Sequence, residues 1–253
     1  VMYLAFLFGF FVVMGAWEWS RLSGFTSIVS RIAYVGIAIM LMVSSYDWIY
    51  QFQFLRDILF LVFVGWLFTL VWLTITPAEE VLSNAVNVYS RGIIGLILLI
   101  PSWLAMLSVH AIGESGPYML LSLFVLIGVA DSAAYFTGKL MGVTKLAPLI
   151  SPGKTLQGVY GGLLISLAAA AIIGNLLGFS GFNLWAFISV ALLSVVFSIV
   201  GDIFDSVAKR SACIKDSGSI FPGNGGVMDR IDGYTAAAPL YLLGLSWFPE
   251  LLS

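Results

Sequence analysis

Long apolar runs separated by short polar connections make up most of this chain. The runs are continuous and do not alternate between apolar and polar residues, which indicates helices and not the strands of a membrane barrel. About 20 helical residues cross the roughly 30 Å of bilayer hydrocarbon. We therefore predict an all-α, polytopic integral membrane protein with about eight transmembrane helices. The predicted spans lie near residues 1–19, 32–46, 54–73, 92–110, 117–136, 157–178, 184–203 and 234–249.

The composition supports a membrane protein and excludes several function classes. Hydrophobic residues make up 60% of the chain and charged residues 9%, which is too little polar surface to cover a soluble globule of this size. The net charge of -2 and the lack of a long basic tract argue against a nucleic-acid partner. Cys213 is the single cysteine, so the chain has neither an internal disulfide nor a thiolate cage for a metal.

Residues 1–253 are predicted to form a single membrane domain, with N-terminal transmembrane helices in 1–110 and catalytic helices in 111–253. Ten of the eleven basic residues follow the first, third, fifth or seventh span, and only Arg56 lies elsewhere. The positive-inside rule makes that side cytoplasmic and places both termini of the chain outside. Because Val1 begins inside an apolar run without a basic leader, we expect a longer natural N-terminus and no cleaved signal peptide.

The segment 202–232 concentrates the charge of the chain. It holds five carboxylates and four basic residues, nine of the 24 charged residues. Asp202 and Asp205 share a helical face, and Asp229 and Asp232 repeat the same spacing. If the two helices form a hairpin, both acid pairs converge on one pocket. Carboxylates without His or Cys favour a hard cation such as Mg²⁺.

Basic and glycine-rich residues in the same segment indicate phosphate binding. Arginine and lysine neutralise phosphate, and glycine lets backbone N–H groups approach an anion closely. Carboxylates for a metal and bases for phosphate together favour phosphoryl or nucleotidyl transfer on the cytoplasmic side. A structural ion pair explains any single acid and base, and a transporter with membrane acids is a non-enzymatic alternative.

The residues from Ser206 to Asp232 read S-V-A-K-R, then K-D-S-G, then F-P-G-N-G-G-V-M-D-R-I-D, and this pattern resembles the signature of the phosphatidate cytidylyltransferases, or CDP-diacylglycerol synthases. Further agreement covers nearly the full chain and is most similar to the bacterial enzymes. It comes from Trp17-Glu18-Trp19, Leu22-Ser23-Gly24-Phe25, Asp131-Ser132-Ala133-Ala134-Tyr135, Lys145-Leu146-Ala147-Pro148 and Ser151-Pro152-Gly153-Lys154-Thr155.

The resemblance implies that CTP and phosphatidic acid react to give CDP-diacylglycerol and pyrophosphate, with Mg²⁺ as cofactor and a second cation left open. The lipid phosphate itself attacks the α-phosphorus, so no Ser, Cys or His nucleophile is needed. The resemblance also implies a homodimer among membrane lipids in the bacterial inner membrane, with its active site facing the cytoplasm. A CTP-dependent polyprenol-type lipid kinase and a degenerate paralogue with altered activity remain as alternatives.

The resemblance assigns roles to individual residues. The expected metal ligands are Asp202 and Asp229, with Asp205 and Asp232 as additional ligands. The catalytic set comprises Asp202, Asp229, Lys209, Arg210, Lys215, Asp216 and Arg230. The substrate-binding set comprises Asp131, Lys154, Thr155, Ser206, Asn224, Gly225 and Gly226.

Three further positions bear on the predicted site. Asn224 stands where the family signature usually has His, and an amide cannot carry a proton near neutral pH. The segment Ser151 to Thr155 looks like the end of a phosphate-binding loop, but no strand is predicted before it. Glu18, between two tryptophans, is predicted to lie in an interfacial aromatic belt.

Overall fold

The computed structural model describes residues 1–83, 86–220 and 225–251. The helices are α1 (Met2–Ser23), α2 (Ile28–Ser45), α3 (Phe52–Ile75), α4 (Ala78–Ser83), α5 (Val88–His110), α6 (Gly116–Met141), α7 (Leu156–Leu176), α8 (Gly181–Ser211) and α9 (Met228–Ser246). Strands β1 (Lys145–Ala147) and β2 (Ser151–Thr155) form a hairpin, and Tyr46–Tyr50 and Pro249–Leu251 are short 3-10 helices.

Seven helices of the described residues are long and apolar enough to cross a membrane, and this confirms the all-α, polytopic class. They are α1, α2 with the 3-10 turn that follows it, α3, α5, α6, α7 and α8. Helix α9 has 19 residues but is not among the seven, because Asp229, Arg230 and Asp232 occupy its first two turns. The eighth predicted span thus exists as a helix with a charged beginning.

Helices α6 and α8 extend beyond their predicted ends. Helix α8 has 31 residues and includes Lys209 and Arg210 in its last turn, where cations interact favourably with the helix dipole. Hydropathy marks only the apolar part of such a helix. The charged residues from Asp202 to Arg210 are therefore helical, and Asp202, Asp205 and Lys209 share one helix face.

The centre of the bundle is formed by α5 and α9. In the apolar part of α5, 78% of the residues are buried inside the protein, against 17% in that of the outer helix α3. In α9 every residue from Thr235 to Leu245 is buried. The hydroxyl groups of Tyr241 on α9 and Ser122 on α6 lie 2.7 Å apart and satisfy each other within this core. The charged beginning of α9 is thus anchored by a wholly buried helix body.

The β-hairpin between α6 and α7 was not predicted, and the expectation that no strand precedes Ser151 is wrong. Strands β1 and β2 pair antiparallel, with Lys145 opposite Thr155 and Ala147 opposite Ser151. The hairpin is short, irregular in register and rich in Pro and Gly, so it lacks the alternation that marks a strand. Thr155 ends the hairpin and caps α7, because its Oγ1 accepts a hydrogen bond of 3.1 Å from the N–H of Gly158.

The connections that carry the basic residues lie at one end of the bundle, which we call the basic end. The indole of Trp19, near the end of α1, donates a hydrogen bond of 2.8 Å to the carbonyl of Arg91 at the start of α5. Arg21 donates to the carbonyl of Ser217, beyond α8, at 2.7 Å. Arg210 donates to the carbonyl of Ile150 in the hairpin at 3.2 Å.

Replacing Gly95 by Ala is expected to destabilise the fold. A Cβ at this position would collide with the indole of Trp19, and overpacking of this kind costs roughly 1–3 kcal/mol. We expect the unfolding midpoint in detergent to fall by about 3–9 °C. Gly128→Ala is the matched control, because a Cβ there meets nothing within 4 Å and alanine favours a helix. Equal midpoints for the two variants would contradict this packing.

Candidate active site at the basic end

The two predicted acid pairs lie on facing helices. Asp202 and Asp205 lie on α8, and Asp229 and Asp232 lie on the first turns of α9. The helices approach closely at Gly201, where a Cβ would come within 2.8 Å of the carbonyl oxygen of Asp232. The charged neighbours of Asp232 include Asp202 and Asp205. The structure therefore brings the two pairs together beside a glycine contact.

Lys209 connects the two helices through a buried double ion pair. Its Nζ lies 2.7 Å from Asp205 Oδ2 and 2.7 Å from Asp229 Oδ1. The three side chains are 10%, 2% and 11% exposed for Lys209, Asp205 and Asp229. Charges this deeply buried are tolerated only when they are paired and hydrogen-bonded. We call these three residues the lysine bridge.

The second oxygen of Asp229 organises the segment that precedes α9. Asp229 Oδ2 accepts hydrogen bonds from the N–H of Gly226 at 2.7 Å and from the N–H of Ser217 at 2.9 Å. The hydroxyl of Ser217 also lies 2.9 Å from this oxygen. Both oxygens of Asp229 are therefore occupied by protein groups, and the carboxylate ties the chain on either side of 218–225 to the lysine bridge.

Glu18 of α1 lies against the same segment, so its predicted place in an interfacial aromatic belt is wrong. Its side chain is buried, with the residue only 3% exposed. Oε1 accepts from the N–H of Val227 at 3.1 Å, and Oε2 accepts from the N–H of Met228 at 2.8 Å. These are free N–H groups at the start of α9, so Glu18 caps that helix from another element and places negative charge at the positive end of its dipole.

Ser217 joins the two carboxylates. Its Oγ lies 2.9 Å from Glu18 Oε2 and 2.9 Å from Asp229 Oδ2. A hydroxyl has a single proton, so it donates to one carboxylate at a time. Ser217 and Glu18 are absent from the site residues that the sequence predicted. The available signal was an acid inside the apolar first helix, a position that is costly without a partner.

The glycines of the signature are required by the two carboxylates. A Cβ at Gly218 or Gly226 would collide with the carboxylate of Glu18. Gly225 has φ of +84°, a conformation that only glycine adopts readily, and a Cβ there would come within 2.5 Å of Asp229 Oδ2. Gly225 and Gly226 therefore let the backbone pass closely around Asp229.

An open charged cavity lies beside Asp202 of α8. It has a volume of about 530 Å³ and is enclosed by α6, the hairpin, α7 and α8. Asp131, Lys154 and Asp202 line it, and Lys154 Nζ lies 2.5 Å from Asp202 Oδ2. Their side chains remain accessible, at 24% exposed for Lys154 and 38% for Asp202. The cavity also receives Lys139 and Lys145.

Negative charge exceeds positive charge in the interior of the site. The carboxylates of Asp131, Asp202, Asp205, Asp229 and Asp232 share two neighbouring ammonium groups, those of Lys154 and Lys209. Asp205 Oδ1 is buried without a hydrogen-bond donor among the described residues. No group of three Asp, Glu, His or Cys side chains within the described ranges converges tightly enough to hold an ion by itself.

The remaining predicted residues lie at the margin of the site. Lys215, Asp216 and Arg230 are exposed, and Ser206 is buried on α8. Arg210 is half-buried and bonds the hairpin carbonyl described above. Asn224 lies outside the described residues, so the place of this predicted substrate residue stays a prediction.

Comparison with known proteins gives one family. The sequence profile of the cytidylyltransferase family matches residues 1–248. The phosphatidate cytidylyltransferase of Pseudomonas aeruginosa is 39% identical over 241 residues, which cover 94% of this chain and 86% of that protein. The phosphatidate cytidylyltransferase of Haemophilus influenzae is 31% identical over 262 residues, covering 94% and 88%. That of Staphylococcus haemolyticus is 37% identical over 131 residues, covering 52% and 50%.

Glu18→Ala is expected to loosen the segment before α9. The change leaves the N–H groups of Val227 and Met228 without their acceptor, which costs roughly 1–3 kcal/mol for each buried group. We expect trypsin to cleave after the exposed Lys215 several times faster than in the wild type, measured in detergent by mass spectrometry. Glu114→Ala, at an exposed position, is the control. Equal cleavage rates in the three proteins would show that Glu18 does not hold this segment.

Proposed function

The chain belongs to the cytidylyltransferase family, and from this membership we propose that it transfers the cytidylyl group of CTP to phosphatidic acid. The products are CDP-diacylglycerol and pyrophosphate. The observation that carries the proposal is the charged cavity of Asp131, Lys154 and Asp202, which lies among membrane helices at the basic end. A water-soluble nucleotide and a membrane lipid both have access to a site in such a position.

The proposed reaction needs no nucleophile from the protein. An oxygen of the lipid phosphate attacks the α-phosphorus of CTP, the bond from that phosphorus to the bridging oxygen breaks, and pyrophosphate leaves. Catalysis then depends on holding two anionic substrates together and neutralising their charge. His110, the single histidine, ends α5, whose other end lies at the basic end, so it takes no part.

We assign different roles to the two charged clusters. Lys154 is accessible from the cavity and supplies a phosphate contact, while Asp202 holds its ammonium group in place. The lysine bridge is buried and acts by positioning the segment from Ser217 to Met228. Lys215 and Arg230, which are exposed beside this segment, and Arg210 are proposed as further phosphate contacts. Thr155 positions Lys154 by capping α7.

Mg²⁺ is the proposed cofactor, and the donor set fits it. The site has an excess of carboxylates and a buried Asp205 oxygen that no donor of the described residues reaches, and Mg²⁺ is usually bound by one or two carboxylates together with substrate phosphates. We propose Asp202 and Asp232 as its main protein ligands with Asp205 beside them, because both oxygens of Asp229 already bind protein groups. When bound, the ion neutralises charge on the phosphates.

The proposal also covers the membrane in which the protein lies, its orientation and its oligomeric state. The chain is an integral membrane protein by its apolar helices. We propose that it lies in the bacterial inner membrane with the basic end in the cytoplasm, which agrees with the positive-inside rule and supplies CTP from the correct side. A homodimer is proposed from the family resemblance, and light scattering of the purified protein in detergent tests it.

Purified protein given CTP, phosphatidic acid and Mg²⁺ in detergent is expected to release pyrophosphate and form CDP-diacylglycerol. EDTA should abolish the release. Without Mg²⁺ the negative charge of the phosphates is not neutralised, because the proposed metal ligands are themselves carboxylates. A parallel assay with a polyprenol in place of phosphatidic acid, followed by mass spectrometry of the products, separates the alternatives. Formation of CDP and a phosphorylated polyprenol would establish a lipid kinase, and lack of turnover by folded protein in both assays would establish a degenerate paralogue.

Asp202→Asn is expected to reduce kcat by at least about 100-fold, the scale of losing an electrostatic group at the reacting centre. The unfolding midpoint should change little, because this side chain is 38% exposed. Asp57→Asn, at an exposed carboxylate paired with Arg56, is the matched control and should keep wild-type turnover. Retention of more than a tenth of wild-type kcat by Asp202→Asn would remove this residue from the proposed mechanism.

A further inference from the structure

A second cavity lies between α1, α3, α5 and α8 and is unlike the charged one. Its volume is about 670 Å³, and its walls are almost wholly apolar. From α8 it receives Phe204, Val207, Ala208 and Ser211. At about 100° per residue these positions point away from the acid face that carries Asp202, Asp205 and Lys209. The cavity is therefore separated from the proposed reaction site by the body of α8.

The cavity runs along the helices for about the depth of one leaflet. On α3 its wall extends from Ile58 to Trp72, and on α5 from Arg91 to Pro101. At a rise of about 1.5 Å per residue these stripes are roughly 20 Å and 15 Å long. One leaflet contributes about half of the roughly 30 Å of hydrocarbon. The shape therefore suits an acyl chain that enters from the basic end.

Arg91 is the charged residue among the described lining residues. It is half-buried at the start of α5, at the basic end, and its guanidinium has no ion pair within the part of the chain that the structure describes. The hydroxyl groups of Ser23 and Thr69 in the lining already bond helix carbonyls. The mouth of the cavity thus offers one cation at the height of the lipid headgroups.

We propose that this cavity binds one acyl chain of a resident anionic phospholipid whose phosphate contacts Arg91. The volume lies within the roughly 300–1,000 Å³ typical of ligand pockets, and exposed apolar side chains in the lining, such as Leu61 and Phe68, favour a hydrocarbon occupant. A guanidinium binds phosphate through paired hydrogen bonds. This lipid is distinct from the lipid substrate, because its binding site lies on the opposite face of α8.

Gly65 provides a direct test of occupancy. It lies in the middle of the α3 stripe, and a Cβ there meets nothing within 4 Å, so Gly65→Phe fills the cavity without a backbone clash. Gly36→Phe on α2 is the matched control, because Gly36 is equally open and does not line the cavity. Arg91→Gln removes the cation while keeping a polar side chain.

The four proteins are purified in mild detergent, and the bound phospholipid is identified by native mass spectrometry and quantified as phosphate per chain. The wild type and Gly36→Phe should retain about one phospholipid, enriched in anionic headgroups over the host membrane. We expect Gly65→Phe to retain at least fivefold less. Arg91→Gln should lose the anionic enrichment.

Several outcomes would overturn the proposal. One is equal retention by Gly65→Phe and Gly36→Phe, and another is wild type without bound phospholipid. If Gly65→Phe raises KM for long-chain but not for dioctanoyl phosphatidic acid, the cavity takes the substrate chain instead. If it dissociates a dimer in light scattering, the cavity takes a second copy. Should Gly65→Phe fail to fold, an unchanged headgroup distribution in Arg91→Gln is sufficient to reject the proposal.

Discussion

The ion pairs of Lys209 with Asp205 and Asp229 are the interaction on which the rest of the site depends. A charge taken out of water at this depth costs several kcal/mol unless partners replace its hydration. Here one ammonium group lies 2.7 Å from two carboxylates, one on its own helix and one on α9. The pairing therefore fixes how α8 and α9 face each other, and removal of Lys209 would leave two buried carboxylates without their shared cation.

The position of the signature segment follows from that constraint. Once Lys209 holds one oxygen of Asp229, the other oxygen is directed at the N–H groups of Ser217 and Gly226. Glu18 completes the arrangement from α1, which makes the N-terminal helix part of the site. The groups that position the segment are thus buried, whereas Lys154 and Asp202 stay accessible in the open cavity. Such a division suits a reaction in which the substrates supply both the nucleophile and the leaving group.

The sequence predicted the parts of this architecture that are local. Continuous apolar runs indicated the helices, and the spacing of Asp202 and Asp205 indicated one face of α8, because helical periodicity is read directly from the chain. Glu18 was placed wrongly because hydropathy does not say which face of α1 turns inward. The hairpin was missed because its strands are short and stabilised by packing against α6 and α7, a contact that no local pattern records.

The most direct test of the positioning account is hydrogen exchange, followed by mass spectrometry, of the peptides that contain Ser217 and Gly226. Asp229→Asn removes one charge of the lysine bridge and weakens the acceptor of both N–H groups, whereas Asp202→Asn leaves the lysine bridge and this acceptor in place. The account predicts that protection of these amides is lost in Asp229→Asn and kept in Asp202→Asn. Equal protection in the two variants would contradict it, because the lysine bridge would then not hold the segment.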